Sequence, residues 1–419
     1  MTVDHDLAGI AEEFWEAKLA ASPMLAAFLG DHRFDDQADD LSAEAEHGLR
    51  STWVGLRGRA SGVGGELSDT DRVTRDLLIE QLDVEIRGID LRLRELMSDQ
   101  MQGVHADLLI TAEQLQAAEP EHAAMAVERI RQFGRMLDQA AERYGEGLAA
   151  GRTPARVNVE RSINQVEGYL PSTLASDPFT TLAGPEGWDG LDAWRDELAD
   201  AVCTHLRPGF ARYRDTLRDD LLPAARPDDR CGLVWLEDGP ELYRALIEQH
   251  TGLPLEADEL HAAGVAEVTE SFPAEYVECG RRQFATTDLP EMFARLVDDP
   301  GLRYRDRDEM LAHVTRCCEA SHAAMGDWFG LMPESPCVIG PIADYLAADA
   351  TLAYYSPPSA DGRPGEYHVN LHEPTGRSRP VTASVAFHEA IPGHHLQLAI
   401  SAERTDLPAF RRQSWSTSP

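Results

Sequence analysis

Lysine is almost missing from this chain. Lys18 is the single lysine among 38 Lys and Arg residues. A catalytic lysine is therefore excluded unless Lys18 itself serves. Basic charge is also short overall: the formal net charge is −35, which repels nucleic acid and anionic lipid and favours solubility. Neither nucleic acid nor membrane is expected as a partner. Long apolar runs are lacking too, and none approaches the roughly 20 residues that span a bilayer. The first residues, MTVDHDLAGIAEEFWEAKLA, carry acids where a secretory leader needs a basic region, so a cytoplasmic protein is expected. The six cysteines, Cys203, Cys231, Cys279, Cys317, Cys318 and Cys337, show no C-x-x-C pairing and no framework spacing. They read as free, buried thiols. No repeat of fixed period and no low-complexity tract is visible.

What the chain has is helix. Hydrophobic residues make up 43% of it, and they recur at three- and four-residue steps among charges. The pattern is clear in TDRVTRDLLIEQLDVEIRGIDLRLREL (70–96) and in EHAAMAVERIRQFGRMLDQAAERYGEGLAAG (121–151), where Gly151 is a plausible stop. The stretch 191–223 reads as another long helix, kinked near Pro208, and 256–276 and 306–330 supply two more. Strand patterns are few. GEYHVNLHEP (365–374) alternates Tyr367, Val369 and Leu371 with His368 and Asn370, and ATLAYYSPP (350–358) is a second candidate. The expectation is a mainly α fold with a small β element, formed as a single helical domain over 1–419. Two lobes with a break in the turn-rich stretch near 175–190 are the alternative.

The informative segment is VAFHEAIPGHHLQLAI (385–400). In zinc-peptidase helices of the form H-E-x-x-H, two histidines four apart share a helix face, and the Glu after the first serves as general base toward water. Here His388 and Glu389 stand in place, but position 392 is proline, and the histidines arrive as His394 and His395. A regular helix cannot solve this. His394 would face away from His388, and His395 would lie roughly 10 Å along the axis. Pro392 forbids a regular helix in any case: it has no N–H, and its ring collides with the carbonyl of His388. With Gly393 after it, the pair marks a bulge or break. If two residues of AIP loop out, the frame reads H-E-x-G-H, with His388 and His394 as ligands of a zinc ion and Glu389 as the catalytic base. His395 is then an alternative ligand or a supporting group.

These residues carry a resemblance. HEAIPGHHLQ is similar to the signature of the bacterial domain of unknown function 885 family. SPMLAAFLGDHRFDD (22–36), LEADELHAAGVAEV (255–268) and YYSPPSADGRPGEYHVN (354–370) resemble that family as well, so the likeness spans nearly the whole chain. It implies a large helical, zincin-like fold and a relation to gluzincins, whose H-E-x-G-H helix matches this one once the inserted residues are removed. Gluzincins take a third zinc ligand from a Glu on a later helix, and the family resembled has an E-G-W-A-L-Y-like motif downstream. This chain ends at FRRQSWSTSP without one. The expectation is therefore a C-terminal segment, 365–419, that lacks its final helices and holds zinc weakly or not at all.

The expected function is a zinc-dependent, metallopeptidase-like hydrolase acting on a peptide or small amide, possessing one zinc ion. GEYHVNLHEP would be an edge strand for an extended substrate. Arg363 would meet a substrate carboxylate, and Tyr354, Tyr355 and Tyr367 would line the pocket or bond an oxyanion; plain packing is the alternative for each. The competing function is a catalytically inactive family member that binds peptides or a partner. Oligomeric state and substrate identity are not written in the sequence.

Overall fold

The computed structural model describes residues 5–112, 115, 117–348 and 350–413. Helices dominate and surround one three-stranded sheet. The longest, Pro120–Ala149, ends just before Gly151, which takes φ +73°. It is buried along one face through Val127, Ile130, Phe133, Leu137 and Tyr144, at the three- and four-residue steps of its sequence. That face meets helix Arg207–Thr216 in the largest core, and helix Arg156–Tyr169 joins the same core by packing on Arg207–Thr216. Phe179 and Leu182, from the turn-rich stretch 175–190, are buried in the same core. A second core joins the N-terminal helix His5–Ala21 to Ala43–Gly62, Asp69–Asp90 and Phe410 near the other end of the chain.

Proline shapes the long helical stretches in a regular way. Pro208, Pro223 and Pro273 each follow by two residues a π turn, at Val202–Leu206, Leu217–Leu221 and Glu267–Ser271. A proline ring in an α-helix strikes the carbonyl four residues back and offers no N–H. A widened turn relieves both faults, so the chain continues where the sequence at Pro208 suggested only a kink.

The sheet has the order β1-β3-β2, from Cys337–Pro341, Gly365–Val369 and Ala353–Ser356. Strand β3 runs parallel to β1, with Ile339 opposite Tyr367, and antiparallel to β2, with Tyr355 opposite Tyr367. This corrects one expectation. The GEYHV strand is the centre of the sheet, paired on both sides, and not an edge open to a substrate strand. Its partner β1 was missed because PCVIGP is short and bounded by prolines. Helices Arg307–Met325 and Arg379–Glu389 pack beside the sheet and share a third core with Tyr367, Val369 and Leu371.

The thiols are free, as expected, but they are not buried. Cys203, Cys231 and Cys279 are exposed, and Cys317, Cys318 and Cys337 are half-buried. Cys317, Cys318 and Cys337 pack at the margin of the third core, and none of the six is fully buried. No helix among the described residues is long and apolar enough to cross a membrane.

Candidate metal centre

The helix that carries His388 starts at Arg379, with Pro380 in its first turn and the Thr382 hydroxyl donating back to the Ser378 carbonyl at 2.8 Å. It ends at Glu389. After four intervening residues a new helix, His394–Glu403, begins. Between them the Ile391–Pro392 peptide is cis. Ala390 closes the first helix by donating to Ala386 at 3.0 Å, the Gly393 N–H returns to Phe387 at 3.0 Å, and the His395 N–H reaches Ala390 at 3.0 Å. The Ser321 hydroxyl, from helix Arg307–Met325, donates to the Ile391 carbonyl and ties the break to its neighbour. A Cβ at Gly393 would collide with the carbonyls of Phe387 and His388, so only glycine lets the chain turn back this closely.

The break brings separated residues together. The rings of His388 and His394 lie 4.6 Å apart, centroid to centroid, nearly edge to face. His394 Nε2 stands 4.0 Å from the Glu389 carboxylate. One ligand atom from each of His388, Glu389 and His394 lies within 4.8 Å of the others. His388 is exposed and Glu389 is buried. Burial pushes the Glu389 carboxyl above its ordinary value, against the pull of His388. Burial, with His388 adding to it, holds His394 below the ordinary imidazole value. His394 thus favours the neutral form that metal ligation requires.

His395 points elsewhere. It is 1% exposed. Its Nε2 donates to the Ser335 carbonyl at 3.0 Å, so Nδ1 accepts from the Tyr355 hydroxyl at 2.7 Å. Both ring nitrogens are engaged, and no lone pair is left for a metal. Gly365 makes room for this pair, since a Cβ there would strike the Tyr355 hydroxyl and the His395 ring. The Glu403 carboxylate accepts from the backbone N–H groups of Glu334 and Ser335, at 2.8 and 3.0 Å. It fixes the turn that His395 leans on.

Glu389 and His394 open onto a cavity of about 530 Å³. One wall is β2, with Tyr354 and Tyr355. The other comes from the first quarter of the chain, including Leu25, Phe28, Met101, Asp107 and Ile110. Tyr367 lies outside this cavity, fully buried under helix Arg379–Glu389, so the wall expected near Tyr367 is formed by β2 instead. Arg363 is spent on structure. It donates to the Phe28 carbonyl at 2.6 Å and lies over the Phe28 ring at 5.5 Å. With Ala360 donating to Leu29 at 2.8 Å, it sews the loop before β3 to the segment that lines the cavity. Leu396 is buried, while Phe387 and Val381 on the preceding helix are 40% and 49% exposed.

The model of the family described as "Bacterial protein of unknown function (DUF885)" matches residues 23–419. The chain belongs to that family. Two solved structures are similar in fold. One is "the putative lipoprotein from Colwellia psychrerythraea", at 18% identity and a TM-score of 0.86, covering 97% of this chain and 74% of that one. The other is "a putative lipoprotein of unknown function from Shewanella oneidensis", at 14% identity and a TM-score of 0.63, covering 98% and 74%. At those identities they speak to the fold alone. No curated protein matches.

Within this DUF885 chain, the sequence reading missed the N-terminal wall of the cavity. Two signals pointed there. Leu25 and Phe28 fall in SPMLAAFLGDHRFDD, a stretch already marked by its family likeness. Asp107 is the one formally charged side chain of helix Val104–Ala112 and lines the cavity.

Proposed function

We propose that this DUF885 protein is a metal-dependent hydrolase that cleaves an amide bond of a peptide or small amide. The observation that carries the reading is the convergence of His388, Glu389 and His394 at the broken helix, on the margin of a largely apolar cavity. Imidazole nitrogens are donors zinc prefers, and a carboxylate beside them can act on a bound water. Donors about 2 Å from a common ion stand at most ~4.4 Å apart, so separations within 4.8 Å need only small side-chain rotations. His388 and His394 would hold the ion. A zinc ion bound there would make water a better nucleophile near neutral pH and polarise the amide carbonyl. Glu389 would take the proton from the attacking water and deliver it to the leaving nitrogen. Its raised pKa suits both roles, since a base that must also act as an acid works best near the operating pH. The kinship with gluzincins belongs to this proposal.

A second reading has its own support. With Glu389 reserved as base, His388 and His394 are two ligands, and zinc sites normally use three or more from the protein. Among the described residues no further His, Cys, Asp or Glu joins the group. A chain that binds peptides without cleaving them fits that count. The test is zinc content after loading and dialysis, together with hydrolysis of a short-peptide mixture with and without chelator. Bound zinc with chelator-sensitive cleavage supports the hydrolase. Cleavage that ignores the chelator removes the metal mechanism, and neither zinc nor cleavage leaves the binding protein.

A further inference from the structure

The cavity at Glu389 and His394 is mostly apolar, yet two of its lining groups are acceptors without donors. Among the described residues, the Asp107 carboxylate has no hydrogen-bond or ion-pair partner. The Gln100 Oε1 is buried and likewise unmatched. Nearby acids are not in this condition. Asp39 accepts from the Ser22 hydroxyl at 2.8 Å and the Met24 N–H at 2.9 Å. Asp99 accepts from the N–H groups of Met101 and Gln102, at 2.8 and 2.9 Å. The arginines nearby are engaged as well: Arg94 faces Glu46 at 3.3 Å, and Arg143 faces Glu46 at 2.7 Å.

Asp107 also lies at a junction. It lines the main cavity and a narrow neck of about 70 Å³, bordered by Arg94, Met97 and Tyr144. Arg94 and Met97 in turn line a wide groove of about 830 Å³ on the far side. Asp107 is exposed to these partly open clefts. Burial, with Asp39 and Asp99 adding to it against Arg94, pushes its carboxyl up to about 7. The buried Gln100 oxygen is costly while unmatched, and the Asp107 carboxylate beside the same cavity is free to take a donor. A ligand that brings several N–H donors and a positive charge removes the cost, and a primary ammonium brings three.

We infer that Asp107 and Gln100 form the receptor for a primary ammonium group, so that the substrate presents an –NH3+ next to an apolar residue in the cavity beside Glu389. This inference rests on the hydrolase reading for the reaction, not for the binding. The ammonium is either the free N-terminus of a short peptide or the end of a lysine side chain. The apolar walls from Leu25, Phe28, Met101 and Ile110 accept the uncharged part.

Binding is measured by calorimetry near neutral pH, on metal-free protein and on zinc-loaded Glu389→Gln protein, which holds ligand without turnover. The probes are Leu-Leu, N-acetyl-Leu-Leu and N-acetyl-Lys-Leu. Leu-Leu is expected to bind at least ~10-fold tighter than its N-acetyl form, and Asp107→Asn is expected to erase that difference, as loss of a charge-assisted hydrogen bond does. If N-acetyl-Lys-Leu alone shows the Asp107 dependence, the receptor stands and reads a side chain. Equal binding of Leu-Leu and N-acetyl-Leu-Leu by the unaltered protein, with N-acetyl-Lys-Leu no tighter, overturns the inference without need of any variant. Failure of zinc loading or of hydrolysis sinks the proposed reaction and leaves this comparison intact.

Discussion

Three neighbouring side chains, His388, His394 and His395, have the same chemistry and different fates. The first two share a space open to an ion, and the third spends both nitrogens on Tyr355 and Ser335. Their substitutions should therefore part company. His388→Ala and His394→Ala are expected to abolish zinc binding while the melting temperature of the metal-free protein changes little, because both rings are partly or wholly exposed. His395→Ala is expected to keep zinc stoichiometry but to cost about 2–4 kcal/mol of stability in urea unfolding, since it leaves a cavity and two unpaired polar groups. Loss of zinc from His395→Ala with stability unchanged would exchange the two roles. Glu389→Gln keeps the shape of the carboxylate and cannot take a proton. It is expected to retain zinc and lose about 10²–10⁴-fold in turnover, read as initial rate on any peptide the parent protein cleaves. Undiminished turnover would assign the base to another group.

At the scale of elements, the decisive one is the break between helices Arg379–Glu389 and His394–Glu403. Its existence was legible in Pro392 and Gly393, since proline at 392 forbids the next helical turn whatever surrounds it. The long helices were legible for the same kind of reason: the three- and four-residue repeat in Pro120–Ala149 is a local property. What could not be read was pairing across distance. GEYHV alternates as any strand does, and nothing within it says whether one neighbour or two will bond it. Its central place depends on Cys337–Pro341, a strand too short to announce itself. The cavity wall from residues 25–110 was hidden likewise, because its partner β2 lies more than 200 residues along the chain. Gly393→Ala tests the break itself. The new Cβ meets backbone carbonyls that cannot rotate away, so the two helices must shift. Zinc affinity is expected to fall at least ~10-fold while far-UV circular dichroism stays the same, because the contacts that hold both helices elsewhere remain. Unaltered affinity would show that the close turn does not set the spacing of His388 and His394.

At the scale of the molecule, buried titratable groups set how stability follows pH. His105 and His368 are both buried and held down to about 4 by desolvation, against an ordinary 6.5. Between those values the unfolded chain binds protons that the folded one refuses, so stability falls as pH drops through 6.5 toward 4. Each histidine should cost on the order of 2 kcal/mol at pH 5. Asp107 works in the opposite direction. Its carboxyl, raised from 3.8 to about 7, favours the protonated folded state and recovers stability as pH falls through that window. His394 and His395 are lowered, and Glu389 raised, in the same senses, and Glu309, held down to about 2, adds to the loss at still lower pH. Urea midpoints are expected to be clearly lower at pH 5 than at pH 7. A flat or rising profile on acidification would mean that the histidines are not buried as described.

The broken helix also gives the paired imidazoles an electrical setting that an unbroken one lacks. Two histidines in the middle of a continuous helix feel neither of its poles. Here His388 lies in the last turn of one helix and His394 opens the next. Helix ends carry partial charges of about half an electron, negative at the C-terminus and positive at the N-terminus, felt within a turn. The field at the centre therefore points one way. The positive end beside His394 helps keep that ring free of a proton, in the same sense as its burial. A cation reaching the centre therefore finds the His394 lone pair ready to take it.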